Sequence, residues 1–167
     1  IIYSCIFQKR FLLSGDDTDE TQWYVPITYT TSADPSEFTE TTTKLWLTPD
    51  TDVTIVLDNE DSWIILNNQQ VGYYRVNYDQ TLLSKIETAL NSDDLDNIDE
   101  MSRSKLVDDQ LNLARAGKAE YADVLNFLTF MKRDSSYYSW SSFYNGFSYL
   151  FKRTKDESLR NLLKVLL

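Results

Sequence analysis

The stretch Gly72-Tyr73-Tyr74-Arg75-Val76-Asn77-Tyr78-Asp79 divides the chain into two parts with different periodicity. Alternation within this junction segment places Tyr74, Val76 and Tyr78 on one face of a predicted strand and its other side chains on the opposite face. Asp79 stands where a helix N-cap is expected, ahead of apolar residues at helical spacing. The junction segment therefore predicts a last β-strand that leads directly into a first helix.

Residues 1–78, the junction segment included, predict six or seven short strands, separated by turns rich in Gly, Pro, Asn and Asp. Trp63-Ile64-Ile65-Leu66 is apolar throughout, which favours a strand buried on both faces. Pro26 cannot donate to a β-ladder, so its strand is predicted to be an edge or to carry a bulge. The other predicted strands lie within residues 1–13, 23–29, 44–47 and 52–57. Short strands at this spacing are typical of a β-sandwich.

Helical spacing begins after Asp79 and predicts five helices. They start with the residues around Leu82 to Leu90 and continue over 102–116, 120–132, 138–151 and 154–167. Gly117 is a good helix stop, and Thr154 to Glu157 fits a capping box. The last helix has an apolar stripe that needs a partner, formed by Leu159, Leu162, Leu163, Leu166 and Leu167. The predicted fold is segregated α+β, with an all-β sandwich domain over residues 1–79 and the first helices of an all-α helical-repeat domain over 80–167.

Composition excludes several classes of function. The chain has 26 acidic and 16 basic residues, a formal net charge of −10, which argues against nucleic-acid binding. Cys5 is the one cysteine, so no internal disulfide can form. The chain contains no histidine, so it cannot build a Ser-His-Asp triad, a Cys-His pair or a His-ligated zinc site. We therefore predict no catalytic, cofactor-binding or metal-binding residue, and the sequence leaves substrate-binding residues undefined.

The junction segment resembles the strand-to-helix junction of the zinc aminopeptidase N family. The resemblance runs from about Gln8 to Tyr149 in the order and spacing of that family, and it is closest to the insect gut members. Other stretches that resemble the family are Gln8-Lys9-Arg10-Phe11, Trp23 to Tyr29, Trp63 to Asn67, Arg103 to Asp109, Leu111 to Gly117 and Tyr137-Tyr138-Ser139-Trp140. The chain departs from the family pattern at Ile1–Phe7, at Asp134 in place of Glu, and at Ser139 in place of Pro.

The resemblance implies a non-catalytic part of a peptide-cleaving enzyme. In that family a separate domain carries the zinc ligands in a His-Glu-x-x-His motif, together with a Gly-x-Met-Glu-Asn run that binds the substrate's amino terminus. Neither motif occurs here, so no catalytic residue carries over and the zinc belongs to a domain that this chain lacks. The resemblance implies partners in that catalytic domain and in further C-terminal helices, peptide as the substrate of the whole enzyme, and a place on the extracellular face of the plasma membrane.

Three groups of charged residues are candidates for a functional site. Arg75 among aromatic residues suits a substrate carboxylate, but it suits a structural ion pair or cation–π contact better. Asp108-Asp109 and Asp16-Asp17 are adjacent carboxylates, and neighbouring helical residues point about 100° apart rather than converging. Asp93–Glu100 lacks the alternating oxygens and the glycine of a calcium loop. We expect all three groups to be structural or solvated.

The fourth predicted helix contains a cluster of aromatic residues that has two interpretations. The cluster comprises Tyr137, Tyr138, Trp140, Phe143, Tyr144, Phe147, Tyr149 and Phe151. A core between helices is the interpretation that we favour, and a platform for peptide or carbohydrate is the other. The second interpretation belongs to an alternative function for the chain, a stand-alone protein- or glycan-binding module without enzymatic activity.

Overall fold

The computed structural model describes residues 2–15, 18–60, 62–93, 95–155, 157 and 160. Its β-strands all precede its α-helices, so the segregated α+β fold is confirmed. The described residues form six strands: β1 (Ile2–Ile6), β2 (Val25–Ile27), β3 (Tyr29–Thr31), β4 (Leu45–Leu47), β5 (Val53–Leu57) and β6 (Ile64–Leu66). Four helices follow: α1 (Gln80–Asn91), α2 (Glu100–Arg115), α3 (Tyr121–Phe127) and α4 (Tyr137–Arg153).

The strands pair as three small antiparallel sheets, β1 with β5, β2 with β4 and β3 with β6. Strand β5 buries alternate residues, Val53, Ile55 and Leu57, as a half-exposed strand should. All three residues of β6 are buried, which confirms the prediction from its continuous apolar run. Pro26 lies in β2, whose single described partner is β4, so its prediction as an edge-strand residue is confirmed.

Two strand predictions are wrong. The structure places no strand in the junction segment, because its backbone forms no ladder with another described strand. Its predicted alternation is nevertheless present, with Val76 and Tyr78 buried and Tyr73 and Asn77 exposed. The single strand expected over residues 23–29 is divided at Thr28 into β2 and β3, because its two halves pair with different strands.

The helices follow the predicted periodicity closely. Helix α1 buries Leu82, Ile86 and Leu90, and the Asp79 carboxylate caps it by accepting a hydrogen bond from the Leu82 amide at 2.8 Å. Gly117 ends the helical region after α2 with a φ of +67°, which confirms it as a stop. The helix predicted over 120–132 is shorter than expected, since α3 ends at Phe127 and a 3₁₀ turn, Leu128–Lys132, replaces its second half.

One continuous apolar core extends from the sheets into the helices. Phe143 and Phe147 of α4 are buried in it and stack on each other, as the core interpretation of the aromatic cluster predicts. Tyr137, Tyr138 and Tyr144 of the same helix remain exposed. The leucine stripe of the predicted fifth helix lies outside the described residues, and the division of the chain into domains at Asp79 stays a prediction. No helix in the described part of the chain has both the length and the apolarity needed to cross a bilayer.

Candidate functional site

The junction segment is held against α2 by polar groups. Arg75 donates from Nη1 to Asp109 at 3.0 Å and also pairs with Asp108. The Val76 amide donates to the second Asp109 oxygen at 3.0 Å. On the other side of its guanidinium, Arg75 lies 5.4 Å from the ring of Phe11. Arg75 therefore makes the structural ion pair and cation–π contact that the sequence favoured.

Asp109 is the centre of this network, because Arg75, Lys105 and the Val76 amide all bind its carboxylate. In the sequence it stands out only as the neighbour of Asp108. Its side chain is 5% exposed, and Lys105, one helical turn earlier, pairs with it from a side chain that is 8% exposed. Burial raises the pKa of the Asp109 carboxyl, while Lys105, the Val76 amide and Arg75 act in the opposite direction. For Arg75, burial lowers the pKa, but the bonds and charges of Asp108 and Asp109 outweigh it and the pKa is raised.

Tyr74 and Tyr78, the two tyrosines on the inner face of the junction segment, keep their hydroxyl protons at physiological pH. Burial raises the pKa of Tyr74 to about 12, and it also raises the pKa of Tyr78. The Tyr78 hydroxyl oxygen accepts a hydrogen bond from the Leu66 amide at 3.1 Å, which joins the segment to β6. The Tyr78 hydroxyl, like the paired charges beside it, therefore fixes a position rather than supplying acid–base chemistry, while the buried Tyr74 hydroxyl makes no hydrogen bond with a described residue.

Four consecutive amide residues, Asn67–Gln70, form a second connection that the sequence pattern did not indicate. The Asn67 carboxamide accepts from the Gly72 amide and donates to the Gly72 carbonyl, both at 2.7 Å. Gly72 is required there, since a Cβ would lie 2.2 Å from the Tyr74 ring. Asn67, Gln69 and Gln70 all have positive φ, a conformation that asparagine tolerates better than most residues. We call Asn67–Gln70 the amide turn.

The amide turn binds both the sheets and α2. Asn68 is fully buried, and its side-chain nitrogen donates to the carbonyls of Glu37 and Glu40 at 2.9 Å each. Gln69 donates to Asp99 at 3.0 Å, and Asp99 caps α2 by accepting from the Met101 and Ser102 amides. The turn therefore fixes where α2 starts relative to the strands.

A second buried ion pair joins the helices. Arg103 donates to the two carboxylate oxygens of Asp134 at 3.1 and 3.3 Å, and to the Ile98 carbonyl at 2.5 Å. Asp134 also accepts from the Ser136 amide at 2.9 Å, just before α4 begins. Asp134, which in the sequence stands out only as a departure from the family pattern, therefore anchors α4 to α2.

An open cleft of about 730 Å³ adjoins the junction segment, and no residue of α2 lines it. The junction segment forms one wall, and residues 4–11 and 23–27 form much of the rest. Aromatic side chains stand exposed at its rim, Tyr24 at 69% and Tyr73 at 108%. We call this space the edge cleft.

A family model described as ERAP1-like C-terminal domain matches residues 63–167, a range that contains the amide turn, the junction segment and the four α-helices α1 to α4. The chain belongs to this family. It is also a relative of aminopeptidase N. An aminopeptidase N from Plutella xylostella is 34% identical over 149 residues, which cover 87% of this chain and 15% of the relative.

Two further relatives give the same picture. A membrane alanyl aminopeptidase from Manduca sexta is 36% identical over 134 residues, 78% of this chain and 13% of the relative. Aminopeptidase N from Bos taurus is 31% identical over an alignment of 171 positions, which covers 95% of this chain and 17% of the relative. The chain thus spans 13–17% of the length of these relatives. The aminopeptidase N resemblance found in the sequence is confirmed at the level of the family.

The remaining sequence candidates are not brought together as a site. The side chain of Asp108 is 40% exposed and forms an ion pair with Arg75, whereas the side chain of Asp109 is buried. Asp16 and Asp17 lie outside the described residues. In the stretch 93–100, Asp93 pairs with Arg133 at 3.0 Å and Asp99 caps α2. Among the described residues no three His, Cys, Asp or Glu side chains are grouped as metal ligands.

Proposed function

We propose that this chain is a non-catalytic part of a zinc-dependent aminopeptidase of insect gut type, an enzyme that removes N-terminal residues from peptides. The family match across the junction segment is the observation that carries the proposal. Relatives of the chain are aminopeptidases, and three of them come from Plutella xylostella, Manduca sexta and Heliothis virescens. In the whole enzyme the sheets would hold the helices in a fixed orientation to a catalytic domain. The helices would form one wall of the peptide cavity.

The residues of this chain do not fit the zinc ion that such an enzyme needs. Zinc sites in proteins use histidine, cysteine and carboxylate ligands, and catalytic sites generally take three. The chain has no histidine and one cysteine, and the carboxylates with resolved roles at the junction bind arginine, lysine or backbone amides. We therefore assign the zinc, and the hydrolysis that depends on it, to a catalytic domain outside this chain.

The proposed partners and location follow from the same relationship. The partners are the catalytic domain and further helices of one polypeptide, and the location is the extracellular face of the plasma membrane. Two of the relatives are named membrane alanyl aminopeptidases, which supports the location. The polar network of Arg75, Lys105 and Asp109 supports the structural role, because paired charges hold one orientation with more directional specificity than apolar packing.

The experiment is to obtain the complete coding sequence and to assay this chain alone. We expect a His-Glu-x-x-His motif and a downstream glutamate upstream of residue 1 in the same reading frame. We also expect no release of chromophore from alanine p-nitroanilide by the purified chain. A complete reading frame without that motif would refute membership of a working enzyme, and chelator-sensitive release by this chain would refute the non-catalytic assignment.

A stand-alone binding module is the second candidate, and the edge cleft with its exposed aromatic rim is the observation that favours it. The two functions differ in how the isolated chain should behave. A stand-alone module should be a monomer that unfolds cooperatively and does not bind a hydrophobic dye such as ANS. A part of a larger enzyme should expose apolar surface, and should therefore bind the dye or self-associate.

A further inference from the structure

The network around Asp109 has the geometry of a proton-operated switch. We propose that a proton bound by the Asp109 carboxylate loosens the junction segment from α2 while the chain stays folded. The two cations of the network, Arg75 and Lys105, then rely on second acceptors that already lie beside them. All of these groups belong to this chain, so the inference does not depend on the proposed function.

The Asp109 carboxylate holds the junction segment through its negative charge. One oxygen accepts from Arg75 Nη1 at 3.0 Å, and the other accepts from the Val76 amide at 3.0 Å. Hydrogen bonds to a charged acceptor are roughly twice as strong as those between neutral groups. The Asp109 side chain is 5% exposed, so bulk water has little access to these partners. A single proton on Asp109 therefore weakens both of these contacts with the junction segment.

Each cation has a second acceptor within reach, which gives the network two arrangements. The same Arg75 nitrogen that contacts Asp109 also pairs with Asp108. Lys105 Nζ lies 3.4 Å from the Tyr74 carbonyl oxygen. When Asp109 is neutral, Arg75 shifts to the charged Asp108 carboxylate, and the Lys105 ammonium keeps the carbonyl. Neither cation is left without an acceptor, which reduces the usual penalty of a broken buried ion pair.

The surroundings of Asp109 favour protonation at a higher pH than an ordinary aspartate requires. Burial has the largest influence and raises the pKa of its carboxyl, whereas Lys105, the Val76 amide and Arg75 act to lower it. Tyr74 and Tyr78 keep their protons throughout the acidic range, so they do not titrate with it. The titratable and charged groups that surround Asp109 are Lys105 and Asp108 on α2, and Tyr74, Arg75 and Tyr78 on the junction segment.

The sign of this pKa shift means that acid changes the contact without unfolding the chain through Asp109. A carboxyl whose pKa is raised on folding contributes most stability when it is protonated, and that contribution is lost as the pH rises through the folded pKa. Between the folded pKa and the ordinary aspartate value of 3.8, Asp109 is protonated in the folded chain. Its proton adds to stability in this window, while the contact with the junction segment is weaker.

The test follows the Asp109 carboxyl carbon and the Val76 amide by NMR while the labelled native chain is titrated downward from pH 7. We expect the carboxyl to titrate with a midpoint above 3.8, and the Val76 amide and Arg75 Nε shifts to change with the same midpoint. A midpoint at or below 3.8, or a Val76 amide that does not follow the carboxyl, would overturn the proposal. Loss of the whole native spectrum at that midpoint would also overturn it, because the transition would then be unfolding.

Asp109→Asn supplies the neutral side chain at pH 7 without acid. Hydrogen exchange of the Val76 amide should be at least about fivefold faster than in the native chain, as expected when a charge-assisted hydrogen bond becomes a neutral one. The acid transition of this amide should also disappear. Asp123→Asn is the matched control, because Asp123 is an exposed carboxylate on α3, and it should leave both properties unchanged. Native exchange rates in Asp109→Asn would contradict the proposal.

Asp108→Asn tests the second acceptor and keeps the proposal open to refutation if Asp109→Asn fails to fold. Without the Asp108 charge, Arg75 stays with Asp109 and favours its ionised form. The midpoint of the Asp109 carboxyl should therefore fall below that of the native chain. An unchanged or higher midpoint would refute the transfer of Arg75 between the two carboxylates.

Discussion

Replacement of Lys105 by methionine tests whether the network around Asp109 holds the junction. Methionine keeps an apolar stem of similar length but removes the ammonium that pairs with Asp109. Both side chains are under a tenth exposed, so the substitution leaves a buried carboxylate with fewer partners. Breaking a buried ion pair by removing one member costs about 3–5 kcal/mol. Arg75 and the Val76 amide still contact Asp109 at 3.0 Å each, which places the expected loss at the lower end, about 3 kcal/mol.

The same substitution should make stability depend on pH in a definite direction. Burial raises the pKa of Asp109 in the folded protein, and Lys105 opposes this rise, so its removal raises the pKa further. An acid whose pKa is higher in the folded than in the unfolded state contributes most stability when it is protonated. The penalty of Lys105→Met should therefore be largest at neutral pH, and should shrink as the pH falls toward the ordinary aspartate value of 3.8.

Urea unfolding followed by circular dichroism and tryptophan fluorescence measures both effects. Lys118→Met is the matched control, because Lys118 is exposed and makes no ion pair with a described residue; it should change stability by less than about 0.5 kcal/mol. Combining Lys105→Met with Asp109→Asn removes the stranded charge, so the double variant should be more stable at neutral pH than Lys105→Met alone. A Lys105→Met penalty equal to that of Lys118→Met, or one that does not vary with pH, would refute the reasoning.

Three other substitutions test the packing around the junction. Gly146→Ala would place a Cβ 2.7 Å from the Cβ and Cδ1 of Leu111, so overpacking between α4 and α2 should outweigh the helix preference of alanine, with a net loss of about 1–2 kcal/mol in urea unfolding. Asn68→Ala removes the side-chain donor of the Glu40 carbonyl and one of two donors of the Glu37 carbonyl, so it should cost about 2–3 kcal/mol, whereas exposed Asn77→Ala should cost less than about 0.5 kcal/mol by the same measurement. Arg103→Met strands a buried carboxylate and should lower stability by about 3–5 kcal/mol, which a thermal melt would show as a clear drop in Tm; an unchanged Tm would contradict the anchoring role of this pair.

The helices could be predicted because their signals are local. Helix α1 has an N-cap aspartate and apolar residues at a spacing of three and four, so Leu82, Ile86 and Leu90 turn inward whatever surrounds them. The stop at Gly117 also depends on a single residue that tolerates positive φ. The strand predicted over the junction segment failed for the opposite reason. Alternation predicts an extended chain, but a strand exists only where a second strand pairs with it, and pairing is not local.

The polar contacts at the junction were the hardest to predict. Helical periodicity places Leu106, Val107 and Leu111 inward, and it assigns polar residues to the outside. Helix α2 is covered on several sides, so Lys105 and Asp109 are buried as well. Their spacing of four residues was a signal for an ion pair, but nothing local shows that the pair is buried or that a backbone amide joins it.

The junction segment shows why a run this short can fix the geometry of two unlike parts. Its inner edge binds α2 through Asp109. Its first residue, Gly72, is hydrogen-bonded to the Asn67 side chain, and its last residue, Asp79, caps α1. Each contact is a hydrogen bond with a preferred direction, so a rotation of the sheets relative to α2 would break several at once. Apolar packing alone tolerates sliding better, since dispersion contacts are individually weak and have no preferred direction. A buried ion pair adds little net stability over apolar side chains of similar volume, so the presence of Lys105 and Asp109 at the junction is better explained by orientation than by stability.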